Sequence, residues 1–193
     1  MIAAFENYLR LQTDLGQEDI CRISALTITR KLRRNEFLFR EGEVCRHKVF
    51  VVSGLLRIFG MTPDGGEHIL QFSPENTWTL DAESYDRQVP SRYNISAIEP
   101  SELLLWTKDE FNRLLADIPR LKNFAEQLIS RNIYSGRQRL LTTLSATPEE
   151  KYEDFVRNFP ELLSRLPLRM IAAYLGVSLK TLNRVRQAQL LRS

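Results

Sequence analysis

The pattern of apolar residues changes near Thr27, where helical spacing gives way to short apolar runs separated by turn residues. The runs are LTITRKL, EFLFREG, KVFVVSG, LLRIFGM, HILQF, YNISAI and ELLLW. They are rich in Val, Ile and Phe and are broken by Gly or Asp-Gly, which is typical of short antiparallel strands joined by tight turns. We therefore predict a β-roll over residues 27–107.

Helical patterns lie on both sides of this segment. Before it, apolar residues three or four positions apart predict helices over residues 2–12 and 17–26. After it, TKDEFNRLL restores helical spacing, with Thr107 as N-cap and Glu110 three residues later in the pattern of a capping box.

A long helix is predicted from Pro119 to about Ala146, because the chain runs that far without a further proline. A helix of this length spans about 40 Å, more than a small β-roll needs for cover. We expect part of its apolar stripe to pair with a second subunit as a coiled coil. The residues predicted for this dimer interface are Leu121, Phe124, Leu128 and Ile129. The alternative is that the stripe packs on its own domain.

The C-terminal string LPLRMIAAYLGVSLKTLNRVRQAQLL predicts two short helices joined by a tight turn. The first runs over Leu168–Leu175, Gly176 supplies the positive φ of the turn, and Ser178 caps the second helix. A capped helix in TPEEKYEDFVRNFPELLSRLP precedes the pair and ends before Pro160. Two helices with so brief a connection form a helix-turn-helix.

The second helix of this pair buries Leu182 and Val185, which leaves its polar residues on the outer side. Their side chains offer donors for phosphates and base edges, since Arg can bind guanine and Asn can bind adenine. We expect Lys180, Thr181 and Arg184 to read bases. The full set of predicted DNA-binding residues is Arg169, Ser178, Lys180, Thr181, Asn183, Arg184 and Arg186.

Charge is spread unevenly along the chain, although the formal net charge is only +3. Residues 1–119 carry 14 Lys and Arg against 18 Asp and Glu, and residues 120–193 carry 13 against 6. No acidic residue follows Glu161. A basic terminal module on an acidic body is the pattern that phosphate binding would leave in a sequence, although a solvated basic face would look the same.

Composition narrows the class of protein further. Apolar residues make up 43% of the chain, enough to build real cores. The two cysteines, Cys21 and Cys45, exclude a disulfide framework and a four-thiolate iron–sulfur cluster. The first residues, MIAAFENYLRLQ, lack the apolar run of a signal peptide, so we expect a cytoplasmic protein.

Three stretches of the chain resemble the Crp/Fnr superfamily, in particular its short Bacteroidetes regulators. They are FREGEVCRHKVFVVSGLLRIF, PSRYNISAIEPSELL and EEKYEDFVRNFPELLSRLPLRMIAAYLGVSLKTLNRVR. The resemblance implies an α+β fold with a double-stranded, cyclic-nucleotide-binding-like β-roll over residues 1–118, a dimerisation helix over 119–146 and a helix-turn-helix domain over 147–193. It also implies a homodimer, double-stranded DNA and RNA polymerase as partners, and an effector pocket inside the roll.

The effector pocket departs from the family's pattern. Cyclic-nucleotide-binding members hold the ribose and cyclic phosphate with a Gly-Glu motif and, about ten residues later, an Arg-Ser pair. Here no Gly-Glu stands in the corresponding stretch Leu80-Asp81-Ala82-Glu83, and Ser91-Arg92 stands in reversed order, which speaks against cAMP binding of the usual kind. A cyclic nucleotide or another small anion stays open, with Glu83 for a hydroxyl and Arg92 for the anion. The candidate effector residues are Leu80, Asp81, Ala82, Glu83, Ser84, Ser91, Arg92 and Tyr93.

Two other classes of protein share part of this pattern. A small cupin enzyme would share the β-roll but needs clustered metal ligands, which two histidines, His47 and His68, do not supply. No catalytic triad, phosphate loop or redox CxxC is found, so we expect no enzyme. The second class is a nucleotide-sensing module whose C-terminal helices bind protein instead of DNA.

Overall fold

A computed structural model describes residues 1–190 of the chain. Two helices, α1 (Ile2–Gln12) and α2 (Gln17–Ala25), come before the strands. The strands follow as β1 (Ile28–Leu32), β2 (Phe37–Phe39), β3 (His47–Ser53), β4 (Leu56–Met61), β5 (Glu67–Ser73), β6 (Thr77–Thr79), β7 (Asn94–Ala97) and β8 (Ser101–Thr107). A short helix, α3 (Ala82–Arg87), lies between β6 and β7.

The rest of the described chain is helical. It consists of α4 (Lys108–Asp117), α5 (Pro119–Ser145), α6 (Pro148–Asn158), a 3-10 turn (Pro160–Leu162), α7 (Leu168–Leu175) and α8 (Leu179–Leu190). The predicted α+β fold class is thereby confirmed, with the roll, the long helix and the two C-terminal helices in the predicted order. Residues 191–193 of the predicted C-terminal domain lie outside the described residues.

The strands form two four-stranded sheets, ordered β1-β8-β3-β6 and β2-β7-β4-β5 within the described residues. The alternation of side chains along β3 shows how the two faces of its sheet are used. Val49 and Val51 are buried between the sheets with Leu103 and Leu105 of β8. Phe50, on the other face, packs into a second core.

The second core lies between the outer face of the sheet and the flanking helices. Aromatic rings dominate it: Phe5 of α1 lies 4.9 Å from Phe50 and 5.1 Å from Trp106 between ring centroids. The Trp106 indole donates a hydrogen bond of 2.9 Å to the Ile23 carbonyl of α2. The helices before and after the roll are therefore anchored to one face of the same sheet.

Two helix starts follow the sequence closely. The Thr107 side chain accepts from the Glu110 backbone N–H and the Glu110 side chain accepts from the Thr107 backbone, so the predicted capping box is present at α4. Thr147 and Glu150 form the same box at α6. Each pairing satisfies backbone donors that the first helical turn leaves free.

The chain divides into two compact units. The first comprises Met1–Met61 and Leu70–Leu128, and the second comprises Thr62–Ile69 and the chain from Ile129 onward. The domain boundaries drawn from the sequence, at residues 118 and 146, stay a prediction. No helix in the described chain is both long and apolar enough to span a membrane.

Candidate functional site

The turn between α7 and α8 has the geometry that the sequence predicted. Gly176 ends α7 in the left-handed region, with φ of 66°. The Ala172 carbonyl accepts hydrogen bonds from the backbone N–H groups of Gly176 and Val177, the second at 3.1 Å. The chain therefore reverses within one turn, as a helix-turn-helix requires.

Ser178 starts α8. Its Oγ accepts a hydrogen bond of 3.0 Å from the Thr181 backbone N–H and lies 2.8 Å from the Thr181 hydroxyl. The cap satisfies one free donor of the first turn, and the remaining N–H groups point outward from the helix start. Such a helix start favours the approach of a phosphate.

The inner side of α8 is packed on α6 and α7. Leu182 and Val185 are both buried, as are Ile171, Ala172 and Leu175 of α7, which confirms the packing predicted for the two helices. Phe155 of α6 meets the ring of Tyr174 at 5.5 Å between centroids. Because these apolar residues are covered within the unit, α8 has only one side left for a partner.

The outer side of α8 is polar and basic. Lys180, Asn183 and Arg184 are exposed, as are Ser178 and, on α7, Arg169. Thr181 and Arg186 are half-buried at the flanks of this surface. Within the described part of the chain, no carboxylate forms an ion pair with Lys180 or Arg184. The guanidinium and ammonium groups are thus available to an external anion.

One exposed residue of this surface was absent from the predicted set. Leu179, the first residue of α8, is 44% exposed although it is apolar. An apolar side chain among donors predicted to read bases is suited to a thymine methyl group. Leu179 stands three residues before buried Leu182, so the spacing alone would place it on the inner side; its position directly after the Ser178 cap was the available signal.

Arg139 of α5 is a second residue that the sequence did not single out. Its Nη2 donates to the carbonyls of Ile69 and Tyr174, at 2.9 and 3.0 Å. Its guanidinium carbon also lies 3.8 Å from the centre of the Tyr174 ring. Burial lowers the pKa of Arg139 and raises the pKa of the Tyr174 hydroxyl. Arg139 therefore ties α5 and the β5 strand start to α7.

The predicted effector residues divide into a buried group and an exposed group. Asp81 is buried and caps α3, since its Oδ1 accepts from the Glu83 and Ser84 backbone N–H groups at 3.1 and 3.3 Å. Its Oδ2 accepts a hydrogen bond of 2.6 Å from the Ser91 hydroxyl. Both carboxylate oxygens are therefore engaged inside the protein.

The serines of the buried group are engaged in the same way. The Ser84 hydroxyl donates to the Val89 carbonyl at 2.6 Å and accepts from the Cys45 backbone N–H at 2.9 Å. The Ser91 hydroxyl oxygen accepts from the Tyr93 backbone N–H at 3.0 Å. These bonds fix the loop from α3 to β7, but they leave few free donors for a ligand.

The exposed group contains Glu83 and Arg92, the two residues predicted to bind a hydroxyl group and an anion. Glu83 and Arg92 are both at the surface, with Ala82. The Glu83 carboxylate pairs with Arg87, one helical turn away on α3, at 3.0 Å. Leu80 and Tyr93 are half-buried and pack against the core between the two sheets. The structure thus brings Asp81, Ser84 and Ser91 together and leaves Glu83 and Arg92 outside that network.

The predicted dimer residues need a correction. Leu121 and Phe124 are buried in the aromatic core beside α1 and α4, and Leu128 is partly buried against the same core. Leu121 and Phe124 are therefore not free to contact a second chain, because their own domain covers them. Ile129, in contrast, is 53% exposed.

Further along α5, a group of large apolar side chains is exposed. We call it the α5 apolar face; it consists of Ile129, Ile133, Leu140, Leu141 and Leu144. Ile129, Ile133 and Leu140 recur at intervals of four and seven residues, so they share one side of the helix. Exposing so many adjacent apolar side chains to water is energetically unfavourable.

Metal binding has little support from the side chains. The described residues contain no group of three or more His, Cys, Asp and Glu arranged to hold a metal ion. Cys45 is buried, and burial raises the pKa of its thiol, which favours the neutral form over a thiolate ligand.

Comparison with known proteins relates this architecture to regulators. Residues 29–117 match the family model of the cyclic nucleotide-binding domain. The chain is 30% identical over 172 residues to the transcriptional activator protein FnrA of Stutzerimonas stutzeri, covering 81% of this chain and 68% of that protein. It is 27% identical over 171 residues to the transcriptional activator protein anr of Pseudomonas aeruginosa, with the same coverage.

The fold of this chain is also similar to that of a solved structure. FixK2 from Bradyrhizobium japonicum superposes with a TM-score of 0.76 at 17% identity, over 86% of this chain and 85% of that chain. The related proteins are regulators of transcription and not enzymes. With its roll, its long helix and its helix-turn-helix in the same order, the chain belongs to the Crp/Fnr superfamily of transcription regulators.

Proposed function

We propose that this regulator is a homodimer that binds a specific sequence of double-stranded DNA with α8 in the major groove. The observation that carries the proposal is the division of α8 into a buried side, Leu182 and Val185, and an exposed side bearing Lys180, Asn183 and Arg184. Lys180, Thr181 and Arg184 read bases. Arg169, Ser178, Asn183 and Arg186 hold phosphates or support those readers.

DNA is favoured over a protein partner by the chemistry of this surface. A protein-binding surface is normally built around apolar and aromatic anchors, whereas Leu179 is the one large apolar residue exposed on α8 among the residues whose burial is described. The other exposed groups of α8 are hydrogen-bond donors or cations, and no acidic residue follows Glu161. Such a surface attracts the negatively charged phosphates of DNA.

The dimer is proposed to form along the α5 apolar face. Ile129 and Ile133 are about half exposed, at 53% and 48%, and Leu140 is 58% exposed. Two copies of this face pairing as a coiled coil would remove these side chains from water, each contributing on the order of 1 kcal/mol or more. A two-fold dimer also places two copies of α8 on one duplex.

The β-roll is proposed to sense a small effector, with the segment Leu80–Tyr93 as its place of binding. Glu83 would accept from a hydroxyl group and Arg92 would bind an anion, after Glu83 releases Arg87. Because Asp81 and Ser91 already satisfy one another at 2.6 Å, a cyclic phosphate would find few partners there. Recognition of cAMP in the family's usual way is therefore not proposed. RNA polymerase in the bacterial cytoplasm is the proposed further partner.

The proposal is tested by selecting random duplexes on the purified protein, with and without cyclic nucleotides. The expected result is an enriched palindrome whose half-sites lie about 10 base pairs apart, or a multiple of that spacing. Enrichment of a palindrome only with cAMP would show that the loop around Asp81 rearranges to bind it.

Absence of any enriched sequence would favour the alternative in which the C-terminal helices bind protein. Salt separates the two functions, because log affinity for DNA falls linearly with log salt in proportion to the phosphates contacted. A specific protein contact need not show this linear dependence.

A further inference from the structure

A cavity of about 370 Å³ opens in the β-roll next to the segment Leu80–Tyr93. That segment is bonded to the cavity wall, because the Cys45 N–H donates to Ser84 Oγ and the Ser91 N–H donates to the Glu43 carbonyl. None of the predicted effector residues lines the cavity. Its walls come from β1, β2, β3, β8 and the turn before β3. The volume lies within the range of small-molecule sites in proteins.

Part of the cavity wall is apolar, beside the polar side chains that also line it. Leu38, Phe39, Val49 and Leu105 line it, and all four are buried members of the core between the two sheets. They are held by strand pairing, since Val49 is in register with Leu105. The cavity is therefore built on rigid elements and can accept a hydrocarbon body.

A guanidinium group is fixed at this cavity. Arg30 of β1 is half-buried and lies on the same side of the strand as buried Leu32, two residues away. Its Nη1 and Nη2 donate to the carbonyls of Leu38 and Phe37, at 3.1 and 3.2 Å. No carboxylate within the described residues pairs with it. An arginine so held keeps further N–H donors for a ligand without having to be ordered first.

The other charged residues of the cavity leave it positive. Arg46 is exposed at the rim, and His47 is half-buried. Burial lowers the pKa of His47, and the charges of Arg30 and Arg46 lower it further, against the opposing charge of Glu110; the net effect favours the neutral ring. Glu43 is the one carboxylate in the lining, and it accepts from the Arg40 backbone N–H at 2.6 Å. With the guanidinium groups of Arg30 and Arg46 and the carboxylate of Glu43, the lining has a net charge of +1.

We propose that this cavity binds a small monocarboxylate with an apolar body, its carboxylate paired with Arg30 and its hydrocarbon against Val49 and Leu105. A planar carboxylate suits the guanidinium fork, and one negative charge matches the excess in the lining. None of the predicted effector residues lines this site, although Ser84 and Ser91 are bonded to its wall at Cys45 and Glu43. Ligand binding there does not depend on DNA binding.

The test uses hexanoate as the probe and the imidazole NMR signals of the full chain as the readout. The chain has two histidines, of which His47 lines the cavity and His68 lies exposed on the β5 strand. Hexanoate is expected to shift the His47 signals saturably and to raise the pKa of His47, because a nearby anion favours imidazolium. His68 should not respond. Hexan-1-ol and hexylamine, with the same body, should be at least roughly tenfold weaker.

Matched variants locate the charge that binds. Arg30→Gln should weaken hexanoate roughly tenfold or more, whereas Arg34→Gln, the same change at an exposed neighbouring arginine, should leave it unchanged. Should Arg30→Gln fail to fold, Arg46→Gln at the exposed rim should weaken hexanoate in the same direction. The proposal is overturned if hexan-1-ol matches hexanoate, if both histidines shift together, or if His47 does not respond.

Discussion

Arg184 is exposed on the outer side of α8, one residue before buried Val185. Changing Arg184 to Ala should cost about 1–3 kcal/mol on the selected duplex and relax the preference at one base position, because a bidentate contact to a base edge is lost. Fluorescence anisotropy on the selected duplex and on single-base variants measures both effects. Arg157→Ala on α6 removes the same charge from the same unit and should change neither; an equal loss on every duplex would make Arg184 a phosphate contact.

Arg139 acts at the same scale but inside the protein. Arg139→Ala removes two charged hydrogen bonds, to Ile69 and Tyr174, and should lower the free energy of unfolding by about 2 kcal/mol. Urea denaturation followed by circular dichroism measures it. Arg131→Ala, at an exposed position of the same helix, is the control and should change stability by less than about 0.5 kcal/mol. Equal values for the two variants would mean that the Arg139 contacts contribute nothing net.

At the scale of elements, local patterns were sufficient where the interaction itself is local. The capping box of Thr107 and Glu110 joins residues three apart, so its sequence signature and its hydrogen bonds coincide. The turn at Gly176 and the buried Leu182 and Val185 follow from equally short spacings. The sequence therefore predicted the helix-turn-helix almost residue by residue.

Long-range contacts are where the sequence was insufficient. Periodicity showed an apolar stripe on α5 but not which surface covers each part, so Leu121 was assigned to a partner although α1 and α4 bury it. Arg139 meets the carbonyl of Ile69 across 70 positions of sequence, which no local pattern encodes. The engagement of Asp81 with Ser91 depends likewise on how the loop after α3 folds back.

The α5 apolar face allows an element-scale test of the dimer. Ile133→Asp should split the dimer, because a carboxylate would be buried in the seam without a partner. Ile133 serves better than Leu128, which also packs on its own core. Sedimentation velocity should show the monomer for Ile133→Asp and the dimer for Ser135→Asp, a matched change at an exposed position toward the opposite side of the helix. A dimeric Ile133→Asp would place the subunit contact elsewhere.

For the whole molecule, the charge distribution and the dimer together determine how DNA affinity depends on salt. Each protomer would bring its own set of phosphate contacts from the basic C-terminal part, and the slope of log affinity against log salt is about −0.9 per phosphate neutralised. Two subunits on one duplex should therefore give about twice the slope of one. We expect Ile133→Asp to bind the selected duplex with about half the salt slope of the unmodified chain, measured by anisotropy between about 50 and 200 mM salt. Ser135→Asp should keep the full slope. Equal slopes for the monomeric and dimeric forms would mean that only one subunit contacts the duplex, and the palindrome would then have to arise from two independent binding events.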